Sequence, residues 1–143
     1  MTKTISVLLV EDSPADARLI LEVFKEEKIA VDVNIIRDGE EAMDYLHRRG
    51  DHKSAIIPDL ILLDLNLPKK DGREVLFEIK ENQDLRSIPV VILTTSGSDE
   101  DVLKSYKLQA SCYVTKPIDH EQFVKIIKSI DEFWFAAVRF PPK

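Results

Sequence analysis

The feature that most constrains this chain is a set of short apolar runs, each closed by polar or charged residues. Val7-Leu8-Leu9-Val10 runs into Glu11-Asp12, Leu60-Ile61-Leu62-Leu63 into Asp64, and Val90-Val91-Ile92-Leu93 into Thr94-Thr95-Ser96. A further run, Cys112-Tyr113-Val114-Thr115, ends in Lys116-Pro117. Amphipathic stretches separate the runs, which is the pattern of a parallel sheet covered by helices on both faces. The expected fold is therefore α/β, with strands near Ile5–Val10, Val31–Ile36, Asp59–Asp64, Ile88–Thr94 and Ser111–Thr115, each followed by a helix. The first helix should start at a Ser13 cap, with Pro14 in its first turn and Asp16 near its positive end. Leu19, Ile20, Val23 and Phe24 form its apolar stripe.

A chain of 143 residues with 44% apolar content is the size of one ordinary domain and can furnish a core. The net charge of −6 provides no basic footprint, so a nucleic-acid role is disfavoured. A single cysteine, Cys112, excludes an internal disulfide and a multi-cysteine metal cage. No run is long enough for a signal peptide or a membrane span, and the expectation is a soluble cytoplasmic protein with no membrane partner.

Right-handed crossovers place the carboxyl ends of the first, third, fourth and fifth strands around one cleft, where ligands of open parallel sheets gather. Asp12, Asp64, Thr94 and Lys116 should meet there. Crowded carboxylates repel unless a cation or proton compensates them. Oxygen ligands suit Mg²⁺, which binds through one or two carboxylates and keeps several waters. An aspartate can attack a phosphoryl donor to form an acyl phosphate, with metal and ammonium stabilising the transferring oxygens and Thr94 donating to one of them. Capping of a helix or turn would explain Glu11-Asp12 or Asp64 alone, but it does not call for a threonine and a lysine on two further strand ends.

These residues resemble the response regulator receiver domains of two-component signalling, from about Ile5 to Ile130. The likeness rests on Val10-Glu11-Asp12-Ser13, Asp64-Leu65-Asn66-Leu67-Pro68 with Asp71-Gly72, Thr94-Thr95-Ser96 and Tyr113-Val114-Thr115-Lys116-Pro117, in the family's order and spacing. The resemblance implies a flavodoxin-like (βα)5 fold over a single domain of residues 1–143, with a C-terminal helix extension and tail over about residues 131–143. It also implies that Asp64 is the phosphoacceptor, and that Asp12, Asp64 and the Asn66 carbonyl hold Mg²⁺ or Mn²⁺, with Glu11 assisting through water or orientation. Thr94 would sense the phosphoryl group, Lys116 would pair with it, Tyr113 would shift toward a buried rotamer, and Lys116-Pro117 would be a cis peptide. The implied partners are a sensor histidine kinase or phosphotransfer protein and a downstream protein, and the implied chemistry is self-phosphorylation and autodephosphorylation rather than turnover.

Within the family, Asp64-Leu65-Asn66-Leu67-Pro68-Lys69-Lys70-Asp71-Gly72-Arg73-Glu74-Val75-Leu76 and Phe133-Trp134 look like the small phytochrome-associated regulators. Phe133, Phe135 and Phe140 are hard to bury in so small a domain. They fit either a tail folded back on its own domain or a homodimer through the last helix and fifth strand, toward which the subgroup resemblance tips the balance. Two competing functions are a phosphorylation-independent adaptor, which predicts loss of an acid, Thr94 or Lys116, and an aspartate-nucleophile phosphatase. The phosphatase would need a second acid two residues beyond the nucleophile, where this chain has Asn66.

Overall fold

The computed structural model describes residues 4–95 and 112–139, the side chains of residue 112 and residues 130–139 excepted. Strands β1 (Ile5–Val10), β2 (Val31–Ile36), β3 (Leu60–Asp64), β4 (Val90–Thr94) and β5 (Cys112–Thr115) form one parallel sheet in the order β2-β1-β3-β4-β5. Helices α1 (Pro14–Glu26), α2 (Gly39–Leu46) and α3 (Gly72–Glu81), and a C-terminal helix over His120–Arg139, flank it. The segment after β4, where a helix is expected, lies outside the described residues. Among the described residues no helix is long and apolar enough to cross a membrane.

The central strands have no polar face because both faces are covered. Leu8, Val10, Ile61, Leu63, Val90 and Ile92 pack toward α2 and α3, against Met43, Leu46, Val75, Leu76 and Ile79. Their neighbours Val7, Leu9, Leu60, Leu62, Val91 and Leu93 pack toward α1 and the C-terminal helix, against Ile20, Val23, Phe24, Phe123 and Ile127. Phe24 and Phe123 meet edge to face with ring centroids 6.3 Å apart, joining the first helix to the last. At the rim, a Glu26–His120 side-chain contact at 2.8 Å and a Glu27–Lys128 ion pair at 2.9 Å follow the same seam.

Two strands start later than expected, for local reasons. Asp59 stands before the ladder of β3, donating its N–H to the Ser6 carbonyl at 2.7 Å and accepting from the Ser6 N–H at 2.9 Å. Pro89 has no N–H to give, so it only accepts, from Ile61 N at 3.0 Å, and β4 begins at Val90. Helix α1 starts at Ser13 as expected, but its buried stripe is Ala17, Ile20, Val23 and Phe24, with Leu19 half-buried. The fifth strand's expected first residue, Ser111, lies outside the described residues.

Candidate functional site

The strand order reverses at β1: the chain leaves it for β2 on one side and returns to β3 on the other. The crevice at that reversal, beyond the carboxyl ends of β1 and β3, is where the acids collect. Glu11 still hydrogen-bonds through its backbone to Ile36 at 2.9 Å, so its side chain is held by the sheet. Asp64 is the last residue of β3, in the middle of the sheet, and is 2% exposed. Asp12, one residue beyond Glu11, is exposed at the mouth. One carboxylate oxygen from each of Glu11, Asp12 and Asp64 lies within 4.8 Å of the others.

The two oxygens of Asp64 have different partners. Oδ1 accepts from the Asn66 N–H at 2.9 Å, and Oδ2 accepts from Lys116 Nζ at 3.2 Å. Lys116 follows β5, two strands away, and its long stem spans the end of β4. Its backbone N–H is anchored on the Thr94 carbonyl at 2.6 Å. The ammonium lies 2.8 Å from Glu11 Oε1 and 3.0 Å from Asp16 Oδ2 as well. The Lys116-Pro117 peptide is cis, as the resemblance implied.

Burial pushes the Glu11 carboxyl up to about 7 from 4.5, with the Asp64 side chain adding to the rise and the Lys116 and Ser13 contacts opposing it. For Lys116, burial alone would lower the pKa. Contacts with Glu11 and Asp16 and the charges of Asp64 and Glu11 outweigh it, and the ammonium is held above its usual range. It stays charged throughout any physiological window.

Thr94 closes β4 beside Asp64 and is 1% exposed, while Tyr113 on β5 is partly buried against the cluster beneath α2 and α3. Asn66 reaches across the mouth, its Nδ2 donating to Thr95 Oγ1 at 3.3 Å. The sequence-expected set, Glu11, Asp12, Asp64, Asn66, Thr94 and Lys116, therefore gathers at one end of the sheet. Ser96 lies outside the described residues.

Two features of this arrangement are absent from the reading of the sequence. Asp16, expected only as a favourable charge at the start of α1, is a direct partner of Lys116. Gly39 is pressed against the backbone of Lys70, closing the β3–α3 loop over the start of α2. A glycine at the start of a helix gives no hint that a distant loop will pack on it.

A chain with this sheet order and these strand-end residues matches the model of the response regulator receiver domain over residues 7–128. It belongs to that family. The receiver is similar to the response regulator Rcp1 of Synechocystis sp., with 51% identity over 135 residues covering 94% of this chain and 92% of Rcp1. The crystal structure of the Mn²⁺-bound form of Rcp1 superposes with a TM-score of 0.79 at 50% identity, covering 96% of this chain and 99% of that one. The phosphorylated cyanobacterial phytochrome response regulator RcpA superposes with a TM-score of 0.80 at 49% identity, covering 94% and 96%. The family match over residues 7–128 spans all the strand-end residues of the site.

Proposed function

We propose that this receiver is a single-domain response regulator whose Asp64 accepts a phosphoryl group from a sensor histidine kinase or a phosphotransfer protein. The observation that carries the reading is the Asp64 carboxylate itself, nearly buried at the end of a central strand with Lys116 Nζ 3.2 Å from Oδ2 and further acids alongside. In the transfer, a carboxylate oxygen of Asp64 attacks phosphorus while the bond to the donor's nitrogen or oxygen breaks, leaving an acyl phosphate on the protein. Lys116 offers fixed positive charge to the phosphoryl oxygens, and Thr94 offers a hydroxyl from the neighbouring strand. Hydrolysis of the acyl phosphate by water returns the carboxylate, so phosphorylation and its loss are the chemistry of the protein.

The donor set fits a hard divalent cation. It consists of oxygens only, and Glu11 Oε1 is buried against the Lys116 ammonium, 2.8 Å away. Glu11, Asp12, Asp64 and the Asn66 carbonyl would hold Mg²⁺ or Mn²⁺, which supplies positive charge for the transferring oxygens when bound. The Mn²⁺-bound form of Rcp1 and the phosphorylated form of RcpA support this reading. The likeness to a phytochrome response regulator supports a phytochrome-like kinase as the donor.

The signal is a shift in surface shape. A phosphoryl group brings about −1.5 to −2 charge into the cleft, which draws Thr94 inward and favours the buried position of Tyr113. Output is by contact with a downstream protein in the cytoplasm. A homodimer through the C-terminal helix and β5 is part of the same reading, although the side chains of Phe133, Trp134 and Phe135 lie outside the described residues, as does Phe140.

Incubation with acetyl phosphate, with and without Mg²⁺, followed by intact-mass and peptide analysis, tests the assignment. The expected result is a labile adduct on Asp64 that requires Mg²⁺. No adduct where a control receiver reacts would leave the phosphorylation-independent adaptor.

A pH dependence follows from Glu11. Between 4.5 and about 7 the folded chain keeps a proton that the unfolded chain has lost, so the stability of the metal-free protein falls as pH rises through that window. The same proton must leave when a cation binds, so Mn²⁺ affinity should be on the order of tenfold weaker at about pH 6 than at about pH 7.5. Titration calorimetry in two buffers of different ionisation enthalpy reads both the affinity and the released proton.

A further inference from the structure

Asp16 is the acid of the site that the phosphotransfer reading leaves without a role. It is the third residue of α1, behind the capping residue Ser13. An acid there ordinarily reaches back to the N–H of the cap residue or rests in the field of the helix's positive end. The first duty is already filled, because the Ser13 N–H donates to Glu11 Oε2 at 3.1 Å. The Asp16 N–H donates to Ser13 Oγ at 3.3 Å, which leaves its carboxylate for Lys116 Nζ, 3.0 Å from Oδ2.

An ammonium has three N–H donors. Three carboxylates surround that of Lys116: Glu11 at 2.8 Å, Asp16 at 3.0 Å and Asp64 at 3.2 Å. To engage a phosphoryl oxygen, Lys116 must therefore loosen one of them. Glu11 and Asp64 belong to the acidic group able to hold a cation, which would draw their charge away from the lysine, whereas Asp16 stands outside that group. Asp16 is thus the carboxylate that keeps its full claim on the ammonium when the cation is in place.

We propose that Asp16 is a positioning residue that competes with the phosphoryl group for Lys116, and so sets how tightly the site holds that group. The proposal rests on Asp64 being the phosphoacceptor. Removing the charge of Asp16 weakens its hold on one N–H of Lys116 and takes one negative charge away from the incoming group. A brake of this kind would shorten the life of the signal without touching the attacking carboxylate.

The test uses beryllofluoride, a phosphoryl mimic, titrated into the full chain at saturating Mg²⁺ and followed by fluorine NMR and calorimetry. Asp16→Asn should bind it about fivefold more tightly than wild type, the scale of a partly exposed ion pair. Asp16→Ser, a second neutral variant suited to a helix start, should do the same. A damaged helix would weaken binding, so a gain reports competition and not a structural role. The gain should persist in about 0.5 M KCl, because a contact pair is screened much less than a distant charge. Unchanged or weaker binding in both variants, or a gain that salt removes, would overturn the proposal. If wild type binds no beryllofluoride and forms no adduct with acetyl phosphate, the phosphoacceptor assignment fails first, and this proposal with it.

Discussion

Asp64→Asn should leave the fold intact and remove phosphorylation altogether. The amide has nearly the shape of the carboxylate and keeps an oxygen for the Asn66 N–H, which Asp64 Oδ1 accepts at 2.9 Å. Lys116 loses one of its partners but keeps Glu11 and Asp16. Taking one negative charge from a crowded acidic group also relieves repulsion, so the stability change should stay within about 1 kcal/mol of wild type. Chemistry is another matter, since an amide oxygen does not displace a leaving group from phosphorus. The intact mass after acetyl phosphate and Mg²⁺ should show no adduct while the thermal melt stays in place. An adduct at the wild-type level would show that the phosphoryl group goes elsewhere.

Gly72→Ala should damage both the fold and the site. Gly72 begins α3, and its N–H donates to the Leu65 carbonyl at 3.0 Å, folding the loop after β3 tightly back on itself. A Cβ there would stand 2.5 Å from Leu65 Cα and closer still to the Asp64 carbonyl oxygen. Both obstacles are backbone, so no side chain can turn aside, and the loop or the strand end must move. Overpacking of this kind costs about 3 kcal/mol. In a domain of this size that corresponds to a fall of about 10 °C in Tm by circular dichroism. Because the collision falls on Asp64, phosphorylation should also slow. A Tm within about 2 °C of wild type would mean that the loop yields, and that the glycine is not required by close approach.

Much of this is legible in the chain itself. Unbroken apolar runs such as Leu60-Ile61-Leu62-Leu63 belong to strands buried on both faces, and both faces are in fact covered. Ser13 announces α1 because a hydroxyl before Pro14 can satisfy a free N–H, and its Oγ accepts from Asp16 N. Asp64, Thr94 and Lys116 were readable as a site because each stands at the end of such a run, and a parallel sheet brings those ends to one edge. Less was legible at the edges of elements. Leu19 looked like part of the buried stripe of α1, but burial follows the angle at which the helix meets the sheet, and Ala17 takes that place.

The sequence by itself determined the α/β class, the five stretches that became strands, and the identity of the acids, hydroxyl and lysine at the ends of four of them. These are local properties: periodicity, the chemistry of a cap, and the residue that follows a run. Only the tertiary structure decided which charge meets which. Asp16 and Lys116 lie far apart in the chain and come within 3.0 Å because β5 takes its register from β4 and α1 rises from the end of β1. The closeness of Gly39 to Lys70 was decided the same way, between a helix start and a distant loop. Contacts of this kind depend on crossover and register, which no short stretch of residues encodes, and they make a set of strand ends into one site.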